Sequence, residues 1–135
     1  MKVVSKAAGI IIKDKKLLLE RSVNKERYNS PGGKINAGET PEEALVREIR
    51  EEFSMDISED DLQLMGKFER DHDTEECTRI LMHVFFVNKS DFNPKPSSEV
   101  REIIWVDYNS SLNLPIGTVF QQDVIPHLHT EGYID

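Results

Sequence analysis

The apolar positions of this chain first fall into short runs of strand length. "AAGIIIKDKKLLLERS" holds two such runs separated by a polar stretch. It predicts strands around Lys6–Ile12 and Lys16–Arg21, joined by a tight turn at Lys13–Lys15. "NKERYNSPGGKINAGE" has no period and is punctuated by Pro31, Gly32, Gly33 and Gly38, which predicts loop. The pattern then changes to that of a helix. Thr40 is a good N-cap, Pro41 suits the first helical position, and Glu43 completes a capping box, so a helix is expected to about Phe53. After the loop "SMDISEDD", "LQLMGKFER" and "TRILMHVFFVNK" read as strands around an acidic loop, "DHDTEEC". "KPSSE" is a turn and "VREIIWVDY" a further strand. "GTVFQQDVIPHLHT" reads as a C-terminal helix that Pro126 kinks or begins to end. This order of elements predicts a mixed sheet packed between helices, an α/β or α+β layer arrangement.

Composition narrows the function. The 135 residues suffice for one domain, 1–135, with one ordinary core, and a content of 38% apolar and 31% charged residues fits a soluble globular chain. A formal net charge of −8 argues against a nucleic acid polymer as partner. It is compatible with a small phosphorylated substrate, because metal ions mediate between carboxylates and phosphates. The single cysteine, Cys77, forms no internal disulfide and reads as a passive thiol. His72, His83, His127 and His129 have no metal-ligand spacing. The apolar run Ala7–Ile12 is too short for a signal core and is broken by Lys13 and Asp14; no other stretch reaches the length of a membrane span. The expectation is a cytoplasmic protein, monomer or homodimer, with no membrane partner.

The helix carries the densest chemistry. With about 100° per residue and Glu48 at zero, Glu51 and Glu52 fall near −60° and +40°, so three carboxylates share one arc. Leu45, Val46, Ile49 and Phe53 form the core-facing stripe at roughly 60° to 160°, directly beside those carboxylates. Charge runs on helices are ordinarily solvated faces. Here, however, like charges crowd one arc near the C-terminal end, where the macrodipole disfavours anions. Arg47 and Arg50 offset part of this. A hard divalent cation such as Mg²⁺ or Mn²⁺ would offset more. Just upstream, Gly32 and Gly33 let backbone approach a ligand closely, and Lys34 adds a positive charge, a combination suited to phosphate.

Residues Gly33, Glu39, Arg47, Glu48, Ile49, Glu51, Glu52 and Met55 have the spacing of the Nudix box, with Ser54 where that pattern has Gly. Together with "SPGGK" and "IIWV", they make the whole chain resemble the Nudix hydrolase family, with "SPGGKI" and the short length similar to its MutT-like members. The resemblance implies an α/β/α sandwich and hydrolysis of a nucleoside diphosphate derivative, most simply a nucleoside triphosphate cut to monophosphate and pyrophosphate. Cleavage of ADP-ribose, dinucleoside polyphosphates or nucleotide sugars is the alternative, and a non-catalytic nucleotide sensor is a reading of another class. The resemblance further implies that Glu48, Glu51 and Glu52 bind Mg²⁺ or Mn²⁺, with the Gly33 carbonyl in the metal shell. Arg47 would orient a glutamate, Glu39 would support the loop–helix junction, and Met55 would anchor the box. Glu51, Glu52, Glu99 and Glu102 are the candidate general bases, with Glu99 also a candidate metal ligand. Arg21, Lys34 and Gly32 are candidates for phosphate binding, and Tyr28, Phe85, Trp105 and Gln121 for base recognition. Ser54 is expected to take the turn after the helix at some energetic cost.

Overall fold

The structure is a computed structural model that describes residues 1–72, 75–89 and 91–135. Positions 73 and 74 of the expected acidic loop lie outside the described residues. The strands are β1 (Lys2–Ile10), β2 (Ile12–Lys13), β3 (Lys16–Ser22), β4 (Gly32–Lys34), β5 (Leu62–Asp71), β6 (Thr78–Val87) and β7 (Val100–Val106). The helices are α1 (Pro41–Phe53), α2 (Tyr108–Ser111) and α3 (Ile125–Thr130), with a π-type turn at Phe120–Val124 leading into α3. One sheet has the order β4-β1-β6-β5, with β1 and β6 parallel and the other neighbours antiparallel. A second, antiparallel sheet has the order β2-β3-β7. The architecture is the mixed α/β/α arrangement expected from the order of elements.

Strand parity explains why these runs are so apolar. Leu17, Leu18 and Leu19 are all fully buried, although neighbours on a strand face opposite ways. Leu17 and Leu19 pack with Ala8, Val84, Val124 and Leu128 on the α3 side. Leu18 packs with Ala7, Phe85 and the α1 residues Leu45, Ile49 and Phe53 on the other. A sheet covered on both faces needs continuous apolar runs rather than alternation. Burying one such side chain contributes roughly 1.5–3 kcal/mol.

Several details differ from the sequence expectation. The first strand begins at Lys2, and the chain changes sheets after Ile10: β1 pairs with β6, whereas β2 pairs with β3. The turn between β2 and β3 places Asp14 and Lys15 at φ 52° and 58°, the twist that a two-residue hairpin requires. Gly32–Lys34, expected as loop, pairs antiparallel with β1 through Lys6, Ala7 and Ala8. Pro126 does not end the C-terminal helix. The widened turn before it, closed by the Ile125 N–H on the Phe120 carbonyl, adjusts the bonding where proline has no N–H to give, and the helix continues to Thr130. Among the described residues, no helix is long and apolar enough to cross a membrane.

Helix α1 starts and stops where its end groups are satisfied. Thr40 and Glu43 form the reciprocal capping box, at 3.1 and 2.9 Å. At the other end, the Glu52 and Phe53 carbonyls accept from the Ser97 and Lys95 amides. Ser54 closes the helix in the left-handed region at φ 57° and ψ 33°, its N–H bonded to the Arg50 carbonyl. Met55 then packs, partly buried, against the α1-side core. A left-handed residue with a Cβ costs about 1–2 kcal/mol. Ser54→Gly is therefore expected to raise the thermal midpoint by roughly 2–5 °C, after allowing for the extra freedom glycine has in the unfolded chain. A calorimetric scan checks this, and an unchanged or lower midpoint would remove the strain argument.

Candidate active site

Two carboxylates of α1, those of Glu48 and Glu51, are held by a single guanidinium. Arg47 donates from Nε and Nη2 to the two carboxylate oxygens of Glu39, at 2.8 and 3.0 Å. Its Nη1 donates to Glu48 at 2.9 Å and to Glu51 at 3.4 Å, and Nη2 also donates to the Lys34 carbonyl at 3.0 Å. One side chain thus ties the loop after β4 to the helix and fixes where Glu48 points. The fork of five N–H donors makes arginine suited to this, and lysine would not replace it. Glu39 accepts in addition from the Asn36 amide, at 3.0 Å. Arg47 and that amide together hold the Glu39 carboxyl down at about 2.

The two glycines are required by close contact. Gly32 has φ 143°, and a Cβ there would run into the carbonyl of Ala7. A Cβ on Gly33 would lie 2.7 Å from the Glu48 carboxyl, so the bare Gly33 backbone is what leaves room for that carboxylate. The Gly32 amide donates to Glu52 at 2.9 Å.

Glu52 meets a residue that sequence reasoning passed over. Glu20 on β3 is buried, with 4% relative exposure, and its carboxyl is hydrogen-bonded to that of Glu52. Among the described residues, its second oxygen, Oε2, has no hydrogen-bond partner. Burial is the first cause that pushes Glu20 up to about 7. It also raises Glu52, strongly, with the neighbouring Glu20 adding to the effect. Burial raises Glu48 too, against the pull of Arg47. A signal for Glu20 was available. It shares Leu18's face of β3, and Leu18 is fully buried against α1, so a charged residue one step further along that face is anomalous.

Glu20 and Glu52 line a cavity of about 600 Å³, within the range of small-molecule sites, whereas Glu48 and Glu51 are not among its lining residues. Glu20, Glu52, Gly32 and Gly33, neighbours through the Glu20–Glu52 contact and the Gly32 amide, form one acidic end of a lining that also includes Glu26 and Asp71. Lys6, Lys25, Arg27 and Arg70 bring positive charge elsewhere in the lining, with Phe120 and Met82 as apolar wall. Arg70 is fixed by a two-pronged ion pair with Asp123, at 2.9 and 2.7 Å.

Other expected residues lie apart from this cavity. Arg21 donates to Glu102 at 2.6 Å and stacks over the Tyr28 ring at 4.6 Å; the Tyr28 hydroxyl donates to the same Glu102 oxygen at 2.7 Å. The Tyr28 hydroxyl and Arg21 hold Glu102 below its usual range, which ill suits a general base. Glu99 is exposed and engages Val23 through its backbone carbonyl. Lys34 contributes its carbonyl to Arg47 while its side chain is exposed. Phe85 is buried core on the α1 side, Trp105 borders a second, smaller cavity, and Gln121 is exposed.

Whether the donor set fits a cation is a question of chemistry rather than of a finished cage. Among the described residues, no three acidic, histidine or cysteine side chains already converge as a complete metal site. Yet Glu20, Glu48 and Glu52 are close enough to disfavour one another's charge, one carboxylate oxygen is orphaned, and the Gly33 backbone lies directly against the Glu48 carboxyl. Oxygen donors of this kind fit a hard divalent ion.

Residues 4–128 match the NUDIX domain. The chain is 28% identical over 121 residues to the CTP pyrophosphohydrolase of Escherichia coli (strain K12), covering 86% of this chain and 84% of that protein. It is 31% identical over 114 residues to the 8-oxo-dGTP diphosphatase of Haemophilus influenzae, covering 81% and 79%. The crystal structure of the MutT protein from Methanosarcina mazei Go1 matches with a TM-score of 0.79 over 97% of this chain and 96% of that one, at 22% identity, a likeness of fold.

The Glu39 clamp gives a pH test. A carboxyl depressed when folded adds stability above its unfolded value of 4.5, and that stability is lost as pH falls toward about 2. The wild-type urea midpoint is expected to drop further between pH 6 and pH 3 than that of Glu39→Gln. Equal drops would mean that the clamp does not contribute to stability.

Proposed function

The chain belongs to the Nudix hydrolase family, whose domain spans residues 4–128, and from that premise we propose that it is a divalent-metal-dependent pyrophosphohydrolase of nucleoside triphosphates, canonical or oxidised, releasing the monophosphate and pyrophosphate. The observation that carries this reading is the polarity of the cavity. The carboxylates of Glu20 and Glu52, the paired glycines and the cations Lys6, Lys25 and Arg27 line one and the same cavity. Lys6, Lys25 and Arg27 would take up part of a triphosphate's charge, and a metal held by the carboxylates would take up more. CTP and 8-oxo-dGTP, named in the two relatives, are both nucleoside triphosphates, which supports the substrate class.

In this reading Glu48, Glu51, Glu52 and the Gly33 carbonyl hold Mg²⁺ or Mn²⁺. When bound, the ion supplies charge neutralisation at the diphosphate and lowers the pKa of water. The protein supplies the rest. Arg47 keeps Glu48 from collapsing onto its neighbours, so that the carboxylate is already oriented when substrate arrives. The Gly32–Gly33 strand brings bare backbone to the acidic end of the cavity. A helix glutamate takes the proton of the attacking water. Glu52, which lines the cavity, suits that role better by position than Glu102, which is paired with Arg21 and Tyr28 outside it. Glu51 is the more exposed alternative base.

The direct test is a Mg²⁺-dependent panel of canonical and oxidised triphosphates, ADP-ribose, NADH, dinucleoside polyphosphates and nucleotide sugars, with product identification. Pyrophosphate and a monophosphate are expected from a triphosphate. Glu52→Gln and Glu51→Gln are each expected to lower kcat by more than about a hundredfold with circular dichroism unchanged. Full activity in the double variant would sink the assignment. Nucleotide bound by the wild-type protein without turnover would make the chain a binding module instead.

A further inference from the structure

The reading above accounts for the glutamates of α1 but leaves Glu20 without a task. Glu20 enters the site from a different element, β3, where its backbone is fixed on both sides. Its position pairs with Ile103 in β7, and its amide and carbonyl exchange bonds with Asn29 at 2.7 and 2.8 Å. The side chain therefore has little freedom to turn elsewhere. It is held among Glu52, Gly32 and Gly33 at the acidic end of the cavity.

The partners of that side chain are the informative part. A buried carboxyl ordinarily faces a cation, a hydroxyl or backbone amides. Among the described residues, the Glu20 carboxyl meets Glu52, itself an acid, and Oε2 meets nothing. Glu48 adds a further unfavourable charge. A carboxyl placed purely for packing would cost more than the glutamine or leucine that fits the same volume. An oxygen-seeking cation between β3 and α1 would satisfy the orphaned oxygen and remove the conflict with Glu52 together.

We propose that Glu20 is a direct carboxylate ligand of the divalent cation, reaching it from β3 opposite the glutamates of α1. The inference rests on the reading of those helix glutamates as the cation site and extends it beyond the box. Its structural consequence is that the ion ties α1 to the second sheet, where Arg47 ties α1 only to its own preceding loop.

The test uses the full chain and Mn²⁺ alone, with no nucleotide, by titration calorimetry on wild type, Glu52→Gln and Glu20→Gln. Glu20→Gln keeps the shape and removes the charge. It is expected to bind Mn²⁺ at least about tenfold more weakly than wild type, with a metal-free thermal midpoint no lower than wild type's. Wild-type affinity in Glu20→Gln beside weakened binding in Glu52→Gln overturns the role of Glu20 and leaves the helix site standing. Absence of Mn²⁺ binding in wild type, or wild-type affinity in Glu52→Gln, overturns the helix site and this extension with it. Should Glu20→Gln fail to fold, the anomalous Mn²⁺ peak in wild-type crystals decides the question. A peak within about 2.3 Å of a Glu20 oxygen supports ligation, and a peak beyond ligand distance overturns it.

Discussion

Carboxyl groups taken out of water beside one another cannot all keep their charge without a compensating cation, and the site is organised around that constraint. Glu48 meets it with Arg47, and Glu52 in part with the Gly32 amide. At the Glu20–Glu52 contact, burial raises the proton affinity of both groups, and the neighbouring carboxyl raises that of Glu52 further. The whole arrangement is costly as a piece of stability and reasonable as a receptor. The proposed divalent ion would offset that cost.

The remaining architecture holds those acids at a fixed separation. The capping box sets where α1 begins, and the Arg47 fork clamps its preceding loop. The β1–β4 pairing brings Gly32 and Gly33 under the helix, and parity along β3 turns Glu20 toward α1 while Arg21 turns away to Glu102. Each contact is ordinary. Their shared effect is that a site formed from three separate stretches of chain is positioned by backbone pairing together with the Arg47 clamp.

Local features were legible in the sequence because their physics is local. Thr40, Pro41 and Glu43 specify a helix start within four residues, and the structure has that helix with those ends. The family was legible because the box spans spaced polar positions that no core needs. Long-range features were less so. The Gly32–Lys34 strand exists because β1 offers an edge, a fact absent from "SPGGK" itself. Glu20 drew no notice in the sequence because its weight comes from what α1 places against that face of β3. Arg21 and Glu102 were each plausible alone for phosphate and proton chemistry; register pairs them with each other. The π-type turn before Pro126 answers a proline whose local signal was to stop the helix.

The central claim is that the charge run of α1 is a cation site and not a solvated face. The most direct measurement is the thermal midpoint of the metal-free protein titrated with MgCl₂ against NaCl at matched ionic strength. A ligand that binds the folded state alone adds stability as RT ln(1 + [L]/Kd). The account predicts a midpoint that keeps rising with Mg²⁺ once its concentration exceeds Kd, well above the NaCl curve. Superimposable curves would contradict it, leaving the glutamates as surface charge.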